Sequence, residues 1–123
     1  MNLNELFQTQ GLGVMATASK DGAVNTAVYA RPHVVDELTL VWGMTNGRTY
    51  RNISDNPQAS FLFKASDPGF SGVRLALELV KTEESGPMLA KIKENADVTV
   101  GPGTGAAVTH AAWFSVTEVR PLI

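Results

Sequence analysis

Residues 12–30 read LGVMATASKDGAVNTAVYA. The apolar run Leu12 to Ala18 and the run Ala23 to Ala30 both have the composition of β-strands. Between them stands Ser19-Lys20-Asp21-Gly22, and an Asp-Gly pair between two strand-like runs is typical of a hairpin turn. Side chains alternate between the two faces of a strand. The second run would therefore place on one face Val24, Thr26 and Val28, and on the other Asn25, Ala27 and Tyr29. This stretch predicts an antiparallel hairpin.

Four further segments have strand character, namely Leu38–Trp42, Ala59–Lys64, Val73–Leu79 and a last one from about Thr109 to Val119. Short strands joined by tight turns favour an antiparallel sheet, because parallel strands need long crossovers. Six strands in one small domain can close into a barrel, which leaves few exposed edges. The predicted fold is mainly β, a six-stranded antiparallel barrel with short flanking helices.

Three segments are predicted as helices, and two of them are short. Residues 3–9 carry apolar side chains at helical spacing, and Gly11 follows them. Ser85-Gly86-Pro87 resembles the start of a longer helix with proline in its first turn. Its buried stripe would consist of Met88, Leu89, Ile92 and Ala96. We expect the two short helices to plug or cover the openings of the barrel.

The polar segment from Gly43 to Pro57 follows the third strand and predicts the remaining helix, which Asn56-Pro57 would end. The free N–H groups of a first helical turn and the helix dipole both favour an anion. Arg48 and Thr49 would add a guanidinium and a hydroxyl donor in that turn. The segment predicts either a phosphate pocket or a solvated connector helix without a ligand.

Composition restricts the classes of protein and of site. The 123 residues are 44% hydrophobic, which suits one domain with a single core. The formal net charge of −2 provides no basic field for nucleic acid or anionic membranes. Without cysteine the chain can form no disulfide or cysteine-ligated metal site. With no signal-peptide pattern and no apolar stretch of membrane-spanning length, a soluble cytoplasmic protein is expected.

Two other signals have simpler explanations than chemistry. Gly101 to Ala106 formally fits a dinucleotide fingerprint, but the residues after it read as a strand and not as a helix. A flexible connector is the better interpretation, with a lid over a ligand as the alternative. His33 and His110 are the two histidines and lie on different elements, so no metal site is expected.

Several segments carry a family resemblance through their order and spacing. They are Gly13-Val14-Met15-Ala16-Thr17 with Asp21-Gly22, Val24-Asn25-Thr26, Gly43-Met44 with Arg48-Thr49, and Asn56-Pro57 before Ala59-Ser60-Phe61-Leu62. In this order they resemble the FMN-binding split-barrel family, which includes pyridoxamine 5′-phosphate oxidase and small FMN-binding proteins. The resemblance covers nearly the whole chain and implies a split barrel.

The resemblance also implies a cofactor and a partner. FMN would lie in a cleft between two subunits of a homodimer, and its phosphate would be bound by Arg48 and Thr49. The other implied cofactor-binding residues are Asn25, Thr26 and Ala27 along the flavin, and Gly43, Met44 and Thr45, whose backbone would approach it. We expect the subunit interface to use the apolar area of Leu75, Leu77, Trp113 and Val119.

The implied function is that of an FMN-dependent oxidoreductase acting on a small molecule. A bound flavin carries its own redox chemistry. An acid–base pair is therefore not required, and we assign no catalytic residue. The alternatives are a non-catalytic FMN binder, an electron carrier, and a barrel that binds a deazaflavin or haem.

Overall fold

The computed structural model describes residues 2–123, which form seven strands and four helices. In chain order they are α1 (Leu3–Leu6), β1 (Gly11–Ala18), β2 (Val24–Tyr29), β3 (His33–Asp36), β4 (Thr39–Met44), α2 (Arg48–Asp55), β5 (Gln58–Ala65), β6 (Gly72–Glu83), α3 (Pro87–Thr99), α4 (Thr104–Ala107) and β7 (His110–Arg120). All strand pairs are antiparallel, and the sheet order is β2-β1-β5-β6-β7-β4-β3.

The sheet is the predicted mainly β split barrel, with seven strands instead of six. The additional strand is β3, four residues long, which the sequence analysis did not predict. It pairs only with β4, and its register shifts between Val34 and Asp36. β2 and β3 are the two edge strands, and the Trp42 indole N–H of β4 donates to the carbonyl of Ala30, which directly follows β2 (2.9 Å).

Large apolar side chains from β1, β4, β5, β6 and β7 fill the barrel. Phe61, Phe63 and Phe114 are fully buried, and the Trp42 ring lies 4.7 Å from that of Phe61. Phe7, the residue directly after α1, makes edge contacts with the rings of Phe61 and Phe63, and Leu3 of α1 belongs to the same core. The short helix α1 therefore packs against the barrel core. Register shifts where β6 pairs with β7 bend these long strands around the core.

β4 is buried on both faces from Leu40 to Trp42. Leu40 and Trp42 point into the barrel, whereas Val41 points outward beneath α3. There Val41 forms a second, smaller cluster with Leu89 of α3 and Ala111 of β7. Helix α3 thus covers the outer face of β4 and β7, and it does not close a barrel end.

The sequence analysis expected Leu75 and Leu77 to offer apolar area to a subunit interface, and this expectation is wrong. Leu75 and Leu77 are 1% and 2% exposed and belong to the barrel core, so neither contributes to an outer surface. Trp113 is half-buried against the α3 cluster, and only Val119 is clearly exposed. One group of exposed apolar side chains lies on the outer face of β2, β1 and β5, at Leu12, Val24, Val28 and Leu62.

None of the helices formed by residues 2–123 is long and apolar enough to cross a membrane.

Candidate functional site

The first turn of α2 presents uncapped backbone N–H groups. Gly47 precedes the helix in an extended conformation, and no side chain caps the turn. The turn contains no acidic residue, and its first residue, Arg48, is exposed. Unpaired N–H groups, the positive end of the helix dipole and a guanidinium therefore lie at one point. This is the donor set that a phosphate requires.

A buried polar pair fixes α2 against the sheet. The Asn52 amide Nδ2 donates to the Thr17 hydroxyl of β1 at 3.1 Å, and both residues are buried. Ile53, the next residue, is 1% exposed and packs into the core. The segment between β4 and β5 is therefore held by one hydrogen bond and one apolar anchor. The direction of its N-terminus is set by these contacts.

Thr49 connects the first turn of α2 to β2. It is 5% exposed, and its hydroxyl accepts a hydrogen bond from Asn25 Nδ2 at 3.4 Å. Tyr29 lies on the same face of β2 as Asn25. Burial raises the pKa of Tyr29, and its contact with the Thr49 hydroxyl opposes that rise. The side chains of Asn25, Tyr29 and Thr49 therefore form one polar cluster between strand and helix.

Gly43 allows β4 to run beneath the α3–α4 segment. A Cβ atom there would lie 2.6 Å from Ile92 Cγ2 and 2.8 Å from Val108 Cγ1, so a larger residue would push this segment away from the sheet. Val108 follows α4 and borders the same cavity as Gly43. The glycine thus determines how closely the α3–α4 segment approaches the cavity.

These elements surround a groove of about 450 Å³. Its lining residues are Asn25, Thr26, Ala27, Val28, Tyr29, Gly43, Thr45, Gly47, Arg48, Thr49 and Val108. The volume falls in the range of about 300–1,000 Å³ that is usual for small-molecule sites. Arg48 is the only ionic side chain in the lining.

Seven of the eight residues expected to bind a cofactor line this groove, and Met44 is the exception. Met44 is 1% exposed and belongs to the barrel core, because alternation along β4 turns it inward. Its carbonyl accepts from the Thr109 N–H, at the end of the pairing between β4 and β7. The side chain of Met44 is therefore a packing residue.

The groove also contains residues that the sequence analysis did not assign to it. Tyr29 shares a face with Asn25 and Ala27, so the alternation of β2 could have identified it. Gly47 stands next to Arg48 and could have been included with the turn. Val108 is far in sequence from the other lining residues, and no local sequence pattern predicts that it lines the groove.

Neither histidine lines the groove. His110 is buried with its ring stacked on Tyr50 at a centroid distance of 3.8 Å, and its Nε2 lies 3.3 Å from the Glu84 carboxylate. Within residues 2–123 no three His, Asp or Glu side chains come together in a way that could hold a metal ion. The groove offers phosphate-binding groups and polar contacts along β2, and it offers no metal ligands.

Comparison with known proteins identifies relatives of the same fold. An FMN-binding protein from Syntrophomonas wolfei subsp. wolfei is 19% identical, with 99% of this chain and 82% of that chain covered and a TM-score of 0.83. HupZ from Group A Streptococcus is also 19% identical (98% and 90% covered, TM-score 0.78). An F420 reductase is 23% identical (98% and 93% covered, TM-score 0.62). Among proteins with curated descriptions, no relative matches.

A family description matches almost the entire chain. The model of the pyridoxamine 5′-phosphate oxidase family covers residues 2–121, which include every element of the barrel and the whole groove. The chain therefore belongs to the pyridoxamine 5′-phosphate oxidase family.

Proposed function

We propose that the groove binds FMN and that the protein is an FMN-dependent oxidoreductase acting on a small molecule. The observation that carries this proposal is the position of Arg48 and Thr49 in an uncapped first turn that opens into the groove. The donors there suit a phosphate group, and Asn25, Thr26 and Ala27 follow the groove along β2. FMN, when bound, supplies hydride or electron transfer at its ring. The protein's residues bind and orient the cofactor.

Among the alternatives, the groove favours a phosphorylated flavin-type cofactor over haem. A haem iron takes a histidine, cysteine, methionine or tyrosine ligand. The groove has no histidine and no methionine side chain, and its Tyr29 hydroxyl lies against Thr49. A deazaflavin is the second candidate, because the F420 reductase shares the fold. Titration of the protein with FMN and with the deazaflavin coenzyme distinguishes the two.

The phosphate contact is tested with two ligands that differ only in the phosphate. Arg48→Ala should weaken FMN by about 10- to 100-fold, the effect of losing a hydrogen bond to a charged group. Riboflavin has no phosphate, so its affinity should change far less. Arg51→Ala is the matched control, since Arg51 lies one turn along α2 and its guanidinium contacts the Asn46 carbonyl. Equal losses of FMN and riboflavin would contradict the assignment.

We also propose a homodimer in which a second copy covers the open side of the groove. In support, Val28 of β2 lines the groove and is 73% exposed, Val24 on the same face of β2 is 76% exposed, and Leu12 and Leu62 continue the apolar surface on β1 and β5. Contiguous exposed apolar surface of this kind is typical of interaction sites. Sedimentation of a flavin-loaded monomer would refute the dimer.

Enzyme and electron carrier differ in how the bound flavin is reduced. Steady-state oxidation of NADH or NADPH by the flavin-loaded protein supports an oxidoreductase. Reduction by dithionite or a protein donor alone supports a carrier. The cytoplasmic location expected from the sequence stays a prediction, which fractionation of cells producing the protein tests.

A further inference from the structure

A second cavity, of about 270 Å³, lies beneath helix α3 and beside the groove. We call it the α3 pocket. Tyr29, Gly43 and Val108 line both cavities. The other walls of the α3 pocket come from residues 30–33, from β4 and from α3 and α4. A molecule in the α3 pocket would therefore lie next to any ligand that fills the groove as far as Tyr29, Gly43 and Val108.

The ionic side chains that line the α3 pocket are all basic. Arg31, His33 and Lys91 line it, and no aspartate or glutamate does. This is a local excess in a chain whose net charge is negative. One guanidinium Nη of Arg31 donates to the Thr9 carbonyl at 2.8 Å, which restrains the side chain, and its other donors are not used in this contact.

His33 and Lys91 line the same pocket, and no acidic residue lines it. Burial lowers the pKa of His33, and the positive charge of Lys91 lowers it further. Two neighbouring groups that repel each other when both are charged would be stabilised by an anion placed between them.

The rest of the lining combines neutral donors with apolar surface. Asn95, Thr99 and Thr104 contribute an amide and two hydroxyls from α3 and α4. The apolar part consists of Pro32, Val41, Trp42, Ile92, Ala96, Val100 and Val108. A pocket with a basic rim and an apolar floor suits a small molecule that has an anionic group on an apolar body.

We propose that the α3 pocket binds small organic anions, with the carboxylate or phosphate group held by Arg31, His33 and Lys91. This assigns a substrate class to the proposed oxidoreductase and in that respect rests on the proposed function. The anionic end meets the basic side chains, and the apolar body is directed towards Tyr29, Gly43 and Val108, where the two cavities join.

The two histidines make the proposal directly measurable, because each gives its own imidazole signals in an NMR titration. The experiment uses the full chain as purified, with and without added FMN, and three probes of similar body: benzoate, phenyl phosphate and uncharged benzyl alcohol. A bound anion favours protonated His33, so benzoate or phenyl phosphate should raise the midpoint of the His33 titration. Benzyl alcohol should leave it in place.

Variants assign the effect to the α3 pocket. Lys91→Gln should weaken benzoate about fivefold, a modest change because Lys91 is exposed and its charge is screened. Lys91→Arg should restore binding. Lys20→Gln makes the same charge change in the β1–β2 turn and should have no effect, and Arg48→Ala should not alter the His33 response.

The proposal is overturned if neither anion moves the His33 midpoint, if benzyl alcohol moves it equally, or if Lys20→Gln and Lys91→Gln weaken benzoate to the same degree. Benzoate alone would identify a carboxylate site, and phenyl phosphate alone a phosphate site. FMN titration reports on the groove separately. Loss of the His33 response with FMN binding intact refutes the α3 pocket only, whereas failure to bind FMN with an intact His33 response refutes the proposed cofactor only.

Discussion

Helices α2 and α3 both begin after a glycine and without a side-chain cap, yet only α2 presents its first turn to a cavity. α3 begins with Pro87, which has no N–H group, and Glu83 lies near Gly86. At the start of α2 there is no acid, and Arg48 and Thr49 face the groove. The comparison shows that an uncapped helix start suits an anion only where the surrounding residues leave space and add positive charge.

The two helices are also attached to the barrel differently. α2 inserts Ile53 into the main core and makes a buried hydrogen bond through Asn52, whereas α3 rests on the outer face of β4 with Leu89 as its one buried residue. The walls of the groove beside α2 should therefore be more rigid than those of the α3 pocket.

The largest expected effect is on stability. Ile53→Ala should lower the free energy of unfolding by about 3–5 kcal/mol, because it opens a cavity in the main core. Leu89→Ala should cost about 2 kcal/mol, at the lower end of the range for buried leucine, because its cluster is small and lies near the surface. Urea unfolding of both variants measures the difference. Equal losses would show that α3 is held as firmly as α2.

A second prediction concerns the open side of the groove. Val28→Asp should weaken the proposed dimer by about 2 kcal/mol or more, roughly 30-fold, because the interface would bury an unpaired charge. Sedimentation at several protein concentrations measures the dissociation, and FMN affinity should fall with it. Val98→Asp on α3 is the matched control, since Val98 is 78% exposed. If both variants dissociate equally, or neither does, the interface lies elsewhere.

The next, smaller effect is on FMN affinity and concerns the polar cluster of Asn25, Tyr29 and Thr49. Thr49→Val keeps the shape of the residue but removes the hydroxyl that accepts from Asn25, which should weaken FMN by about 1–2 kcal/mol. Ser54→Ala removes a hydroxyl from the other end of α2, where it donates to the Tyr50 carbonyl, and should leave FMN affinity unchanged. Fluorescence titration of both variants compares them. An unchanged affinity in Thr49→Val would remove this cluster from the site.

The smallest effect is the pH dependence that arises in the α3 pocket. The pKa of folded His33 lies below its usual value of 6.5, so the unfolded chain takes up its proton first as the pH falls. His33 should therefore contribute stability above pH 6.5 and lose it as the pH drops through the folded pKa. Urea unfolding at about pH 5.5 and 7.5 should show a shallower pH dependence in His33→Gln than in the unsubstituted protein. A steeper dependence in the variant would contradict the assignment.

Local patterns predicted the elements whose burial repeats regularly. The hairpin of β1 and β2 has the Asp-Gly turn and the alternation that the sequence displays, and α2 ends at the predicted Asn56-Pro57. β3 was missed because four residues between Pro32 and Glu37 are too few for a pattern, and its pairing with β4 stabilises it. Leu75 and Leu77 were assigned to an outer surface because alternation groups side chains by face without revealing which face is inside.

The sequence by itself determined the class of fold, the position of α2 and the residue types at its first turn, since these follow from turn chemistry and periodicities of a few residues. Tertiary structure alone decided that Val108 joins Arg48 at one groove, that Met44 turns into the core, and that Arg31, His33 and Lys91 line one pocket beneath α3. Those contacts join residues far apart in the chain, and their geometry depends on how the barrel bends and on the close approach of α3 at Gly43. Local propensity contains no information about either.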